Sequence, residues 1–129
     1  MITALHTLIY SDDAPATRAF LRDVLDWPFV DGGMPGEAWL IFATGPSEMG
    51  VHPTASVWEG KEYVHPRHHA ISLMCDDIES TRRELEAKGA TFSAPIADEG
   101  YGLTTMMDVP GADPIMLYQP RHPLAYTLT

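Results

Sequence analysis

The sequence predicts an α+β fold in which two βαβββ modules form a curved mixed sheet around a central trough. Three observations predict it. Asp12-Asp13 recurs as Asp76-Asp77 after 64 residues, and Thr17-Arg18 and Leu21 recur at the same offset as Thr81-Arg82 and Leu85. Each Asp-Asp pair follows an apolar run and precedes three short extended runs punctuated by Gly and Pro. Each half then closes on a matching segment, Met49-Gly50-Val51-His52-Pro53 and Met116-Leu117-Tyr118-Gln119-Pro120, now 67 residues apart. The modules cover about 1–53 and 68–120 of a single domain, and the polar stretch 54–67, with Gly60 and Pro66, reads as the linker between them.

The elements follow in order. Ala4–Tyr10 and His69–Met74 are rich in residues suited to a pleated surface and read as the opening strands. An aspartate at a helix start accepts from the unpaired amides of the first turn and opposes the dipole, so a helix is expected after each Asp-Asp pair. The first, about Ala14–Leu25, carries Pro15 in its first turn and Thr17, Phe20, Leu21, Val24 and Leu25 on one stripe. The second, about Ile78–Lys88, presents Ile78, Thr81 and Leu85 and stops at Gly89, a residue suited to a left-handed cap. Phe29–Asp31, Ala38–Ala43 and Glu48–His52 then read as strands of the first module, and Thr91–Ile96, Gly102–Asp108 and Pro114–Gln119 as those of the second. Val57-Trp58 in the linker is expected to dock on the body. One helix covers only one face of a four-stranded sheet, so each copy needs the other, and their bare faces curl into the shared trough.

Composition sets the outer bounds. At 129 residues, 45% hydrophobic and 20% charged, the chain is large enough for one cored domain. Eight basic against 18 acidic residues give a net charge of -10, and the basic residues are scattered, which argues against a nucleic-acid partner. The same balance favours a basic guest. No apolar stretch has the length of a membrane span, Met1–Tyr10 lacks the marks of a signal peptide, and Cys75 is the only cysteine, so a cytoplasmic setting without disulfides and without a membrane partner is expected.

His6 ahead of Ser11-Asp12-Asp13, the run Met74-Cys75-Asp76-Asp77-Ile78-Glu79-Ser80-Thr81 and the closing Met116–Pro120 segment together resemble the vicinal oxygen chelate superfamily, which includes glyoxalases, bleomycin-resistance proteins and extradiol dioxygenases. The resemblance spans nearly the whole chain. It implies a trough in which metal-dependent members place histidines on first strands and a carboxylate on a closing strand, a set that polarises paired substrate oxygens. His6 matches the first position. The second module departs, because Ala70 stands at the corresponding place; His68 shares its parity and His69 has the opposite one, roles that a one-residue slip exchanges. The closing-strand carboxylate position holds Met116, and its first-module counterpart is Met49. Glu48 and Asp113 are close in sequence but have the wrong parity. A thioether suits Cu(I) and replaces oxygen poorly around harder ions.

Three functional readings follow. The first is a small-molecule-binding protein without the standard metal set or any other cofactor, its trough lined by His6, Tyr10, Met49, His68, Ser72, Met116 and Tyr118. In it His6 supplies a polar contact, the methionines adaptable surface and Tyr118 a flat wall for an aromatic or cationic guest. The second is a divalent-metal-dependent lyase, isomerase or dioxygenase recruiting His6 with His68 or His69 and Glu48. The third is an interaction module without ligand. A homodimer is expected under all three. Each site residue also has a plainer reading: His6 as an ordinary sheet histidine, Trp39 as core, Cys75 as an inert small hydrophobe, and His65, Arg121 and His122 as solvated positions.

Overall fold

Both helices start where the repeat places them. The computed structural model describes residues 1, 3–32 and 39–128. Helix α1 spans Ala14–Asp23 and α2 spans Ile78–Ala87. Asp13 accepts from the Ala16 amide and Asp77 from the Ser80 amide, each at 3.1 Å, so the two copies use the same cap. Asp13→Ala and Asp77→Ala are each expected to cost about 1 kcal/mol. Urea denaturation measures both, and nearly equal losses would establish that the caps are equivalent.

The second module forms one sheet. Strands β5 (Ser72–Met74), β6 (Ala97–Asp98), β7 (Gly102–Met107) and β8 (Ile115–Pro120) lie in the order β5-β8-β7-β6. The β5–β8 pair is parallel and the other two are antiparallel. The expected strand Thr91–Ile96 is displaced: Phe92 bridges Met107, and regular pairing resumes only at Ala97 opposite Thr104, with two extra residues on the outer strand between those points. Pro95 has no amide hydrogen for the ladder, which explains the break.

The first module differs more from expectation. Strands β1 (Phe29–Asp31) and β2 (Leu40–Phe42) pair antiparallel, with the Phe29 and Phe42 rings 5.8 Å apart. Residue 38, at the edge of the expected Ala38–Ala43 strand, lies outside the described residues. Ala4–Tyr10 and Glu48–His52 form no ladder among the described residues. The expected linker instead holds a hairpin, β3 (Ala55–Trp58) and β4 (Lys61–Val64). Its two-residue loop puts Glu59 at φ 50° and Gly60 at φ 76°, the two positive values of a type I′ turn whose twist matches the strands it joins. Val57 and Trp58 do not dock; they are 67% and 68% exposed.

The core unites the halves. Phe20 and Leu21 of α1 pack with Ala90, Met107, Val109 and Ile115, joined at the margin by Ile9, Trp27, Phe42 and Leu73. Thr17, buried, accompanies them: its hydroxyl donates to the Pro110 carbonyl and lies 2.7 Å from the Ser11 hydroxyl. The first helix is thereby fixed to the β7–β8 turn of the second module. Among the described residues no helix is long and apolar enough to cross a membrane.

Candidate functional site

Helix α2 defines the two faces of the second sheet. The Arg82 guanidinium donates to the Thr105 hydroxyl at 3.1 Å and to the Ala94 carbonyl at 2.8 Å, so Thr105 points toward the helix. Its registered neighbours Leu117 and Leu73 share that face, as does Met107 two residues on. The other face therefore carries two cross-strand rows, Ser72–Met116–Met106 and Met74–Tyr118–Thr104. Side chains opposite each other on one face are close enough to touch a common guest. Three thioethers in so small an area make an apolar, adaptable surface.

Tyr118 stands at one end of this face with a defined surround. Its hydroxyl donates to the Tyr101 carbonyl at 3.4 Å, and its ring centre lies 5.8 Å from those of Tyr101 and His122. Burial pushes the Tyr118 hydroxyl above its ordinary range, with Tyr101 and Glu48 adding to the effect; burial and then Glu99 do the same at Tyr101. Both phenols stay neutral and able to donate at physiological pH.

The adjoining segment is held by charge. Arg121 makes a two-pronged pair with Asp98, at 2.6 and 2.8 Å, which holds the Asp98 carboxyl at about 2, below its ordinary 3.8. The folded value is the lower one, so the contribution to stability is present above pH 3.8 and is lost as pH falls toward 2. Carboxyl NMR titration should find Asp98 near 2 in the wild type and higher in Arg121→Ala, still below 3.8 because the Gly100 amide continues to donate to the carboxylate at 2.9 Å.

The predicted residues are distributed unevenly. Ser72, Met116 and Tyr118 share the face described above. His6, Tyr10, Met49 and His68 are exposed on segments that join no ladder among the described residues, Tyr10 at 87% and Met49 at 75%. The His68 Nδ1 lies 2.7 Å from the Pro66 carbonyl, and His69 is exposed. Glu48 is only 15% exposed; one carboxylate oxygen accepts from the Ala125 amide at 2.8 Å and the other is 3.6 Å from His122 Nε2. Its oxygens already face partners 77 and 74 residues away. Among the described residues no three His, Cys, Asp or Glu side chains converge in a manner that could hold a metal ion. The donors among the described residues, in this arrangement, do not fit the His/carboxylate set that the resemblance implies.

Cys75 is half-buried, and its thiol is pushed up chiefly by that burial, which suits a packing role. Sequence reasoning missed Met74, Thr104 and Met106, although strand parity across His69–Met74 and Gly102–Asp108 carried the signal. It also missed the Glu48–Ala125 contact, for which no local pattern exists.

Residues 3–116 match a sequence model of the Glyoxalase/Bleomycin resistance protein/Dioxygenase superfamily. Among solved structures the chain is similar to a lactoylglutathione lyase from Agrobacterium tumefaciens, at 16% identity and a TM-score of 0.60 over 91% of this chain and 92% of that one. It is likewise similar to TnmS3, an antibiotic binding protein from a Streptomyces species, at 16% identity and a TM-score of 0.55 over 93% and 98%. A superfamily member from Sphaerobacter thermophilus aligns at 19% identity and a TM-score of 0.54 over 92% and 98%. No curated protein matches the chain. At these identities the structural likenesses speak to the fold.

Proposed function

This chain belongs to the Glyoxalase/Bleomycin resistance protein/Dioxygenase superfamily, and we propose that within it the chain acts as a small-molecule-binding protein that holds its guest without transforming it. The observation that carries the reading is the sheet face bearing Met74, Met106, Met116 and Tyr118, a wall of thioethers ending in a neutral phenol. Methionine adapts to guests of irregular outline, and an aromatic face attracts a cation through its quadrupole. The net charge of -10 draws basic molecules toward the protein. The guest is therefore a basic compound with an aromatic or otherwise flat apolar body. The antibiotic-binding structural relative is compatible with that class.

The binding role uses no resident catalytic metal. Met49 and Met116 occupy the closing-segment positions where metal-dependent relatives are expected to carry a carboxylate, and the nearby Glu48 is engaged by residues 122 and 125. The working form is a homodimer. Leu5, Leu8, Val30, Val51, Val57, Trp58 and Val64 are exposed, apolar surface that burial against a second copy would favour. A cytoplasmic setting accords with the single Cys75.

Fluorescence titration with cationic dyes such as ethidium, crystal violet and rhodamine 6G tests the binding role. Saturable binding is expected in the wild type, with a loss of about tenfold or more in Met116→Arg, which sets a cation within the trough. Failure of every dye and of a broader panel of basic aromatics would overturn it. Elemental analysis of protein purified without chelator tests the metal claim: stoichiometric Fe, Mn, Ni or Zn that disappears in His6→Ala would establish the metal-dependent enzyme instead. Light scattering should report two chains per particle, and a monomer would refute the dimer.

A further inference from the structure

His52 and His65 come together at the open end of the β3–β4 hairpin. The ladder runs one residue past the Ala55–Val64 pair, since the His65 amide donates to the Thr54 carbonyl at 2.7 Å. His52 lies two residues before Thr54, a diagonal neighbour of His65 across the strands. Their ring centres are 5.6 Å apart with planes at 88°.

Two further features concern what the rings can bind. The His52 Nδ1 is 2.7 Å from the Pro53 carbonyl, an acceptor only, so the proton belongs on Nδ1 and Nε2 keeps its lone pair. A second ring nitrogen donating to a backbone carbonyl is the arrangement that orients metal-bound histidines and raises their basicity. The separation also fits. With metal–nitrogen bonds of about 2.1 Å and a ring centre about 1.1 Å behind each nitrogen, two imidazoles on one ion at tetrahedral to trigonal angles have centres about 5–6 Å apart. Both residues are exposed, so an ion can reach them, and the net charge of -10 raises the local cation concentration.

We propose that His52 and His65 form a two-imidazole site for a divalent transition-metal ion such as Zn²⁺, Ni²⁺ or Cu²⁺, with water or a small oxygen ligand in the remaining positions. The ion fastens β3–β4 at its open end. No third His, Cys, Asp or Glu among the described residues converges on the pair, so the site is open to exchange. It uses none of the trough residues and stands independently of the binding role argued above.

The test is a Zn²⁺ titration of chelator-stripped full-length protein against a chromophoric zinc indicator, with Cu²⁺ electron paramagnetic resonance alongside. One equivalent of Zn²⁺ is expected in the wild type. His52→Ala and His65→Ala should each weaken it by about tenfold or more. Nitrogen hyperfine structure from two imidazoles should fall to that from one in either variant. His52→Gln and His65→Gln, checked by circular dichroism, supply the same comparison should an alanine variant misfold. His68→Ala and His6→Ala should bind Zn²⁺ as the wild type does; His68 carries the same type of backbone contact, to Pro66, without converging on the pair. Absence of zinc uptake, unchanged affinity in the His52 and His65 variants, or loss confined to His6→Ala or His68→Ala would overturn the site. The last two results would also identify any metal found in the purified protein as belonging elsewhere, which keeps this outcome separate from the trough reading.

Discussion

Gly111→Ala is expected to destabilise the protein by about 3–5 kcal/mol, read as a thermal midpoint lowered by roughly 10–20 °C. A β-carbon at this position would lie 2.5 Å from the Ser11 hydroxyl oxygen and 2.8 and 2.9 Å from the Asp13 backbone oxygen and nitrogen. The Asp13 backbone cannot give way cheaply, because it begins α1 and its carbonyl accepts from the Thr17 amide at 3.0 Å. The Gly111 carbonyl also accepts from the Asp12 amide at 2.8 Å and from the Ser11 hydroxyl at 3.0 Å. The substitution thus separates the start of the first helix from the β7–β8 turn. Gly45→Ala is the control. Gly45 has a similar φ, +88° against +79°, yet a β-carbon added there would meet nothing within 4 Å, so only the conformational cost of about 1–2 kcal/mol remains. Equal losses at the two sites would show that close approach at Gly111 contributes nothing.

The contact between these segments also explains which parts of the fold could be read in advance. Asp13 and Asp77 announce helices by a local mechanism, a carboxylate within reach of amides three residues on, which needs no distant partner. The parity of Ser72, Met116 and Tyr118 was legible for the same reason, because alternation along a regular strand depends only on the backbone. The hairpin at 55–64 was missed because Glu59 adopts φ 50°, a value that Asn or Asp signals far better than Glu, so the residues of the turn did not advertise it. Ala4–Tyr10 has strand composition but no ladder partner among the described residues, and composition cannot supply one. Glu48 shows the limit most clearly. Its carboxylate is committed to an amide 77 residues away, a contact set by how the chain closes on itself and absent from any sequence spacing.

Met106 and Met107 test the assignment of faces, since neighbouring residues of one strand point in opposite directions. Met107 is 0% exposed and packs with Phe20, Leu21, Ala90, Val109 and Ile115, so Met107→Ala is expected to cost about 2–5 kcal/mol through lost burial and the cavity left behind. Met106 is half-buried on the trough face beside Met116, where Met106→Ala should cost less than about 1.5 kcal/mol. Binding should reverse that order. Met106→Ala removes a thioether from the wall and is expected to weaken cationic-dye affinity about fivefold, the equivalent of roughly 1 kcal/mol of contact. Met107→Leu, which nearly conserves volume, should leave both the fold and the affinity close to wild type. Denaturation midpoints and dye titrations on the three variants decide the matter. If dye affinity falls in Met107→Leu and not in Met106→Ala, the guest sits on the helix side of the sheet, and the trough is not the binding surface.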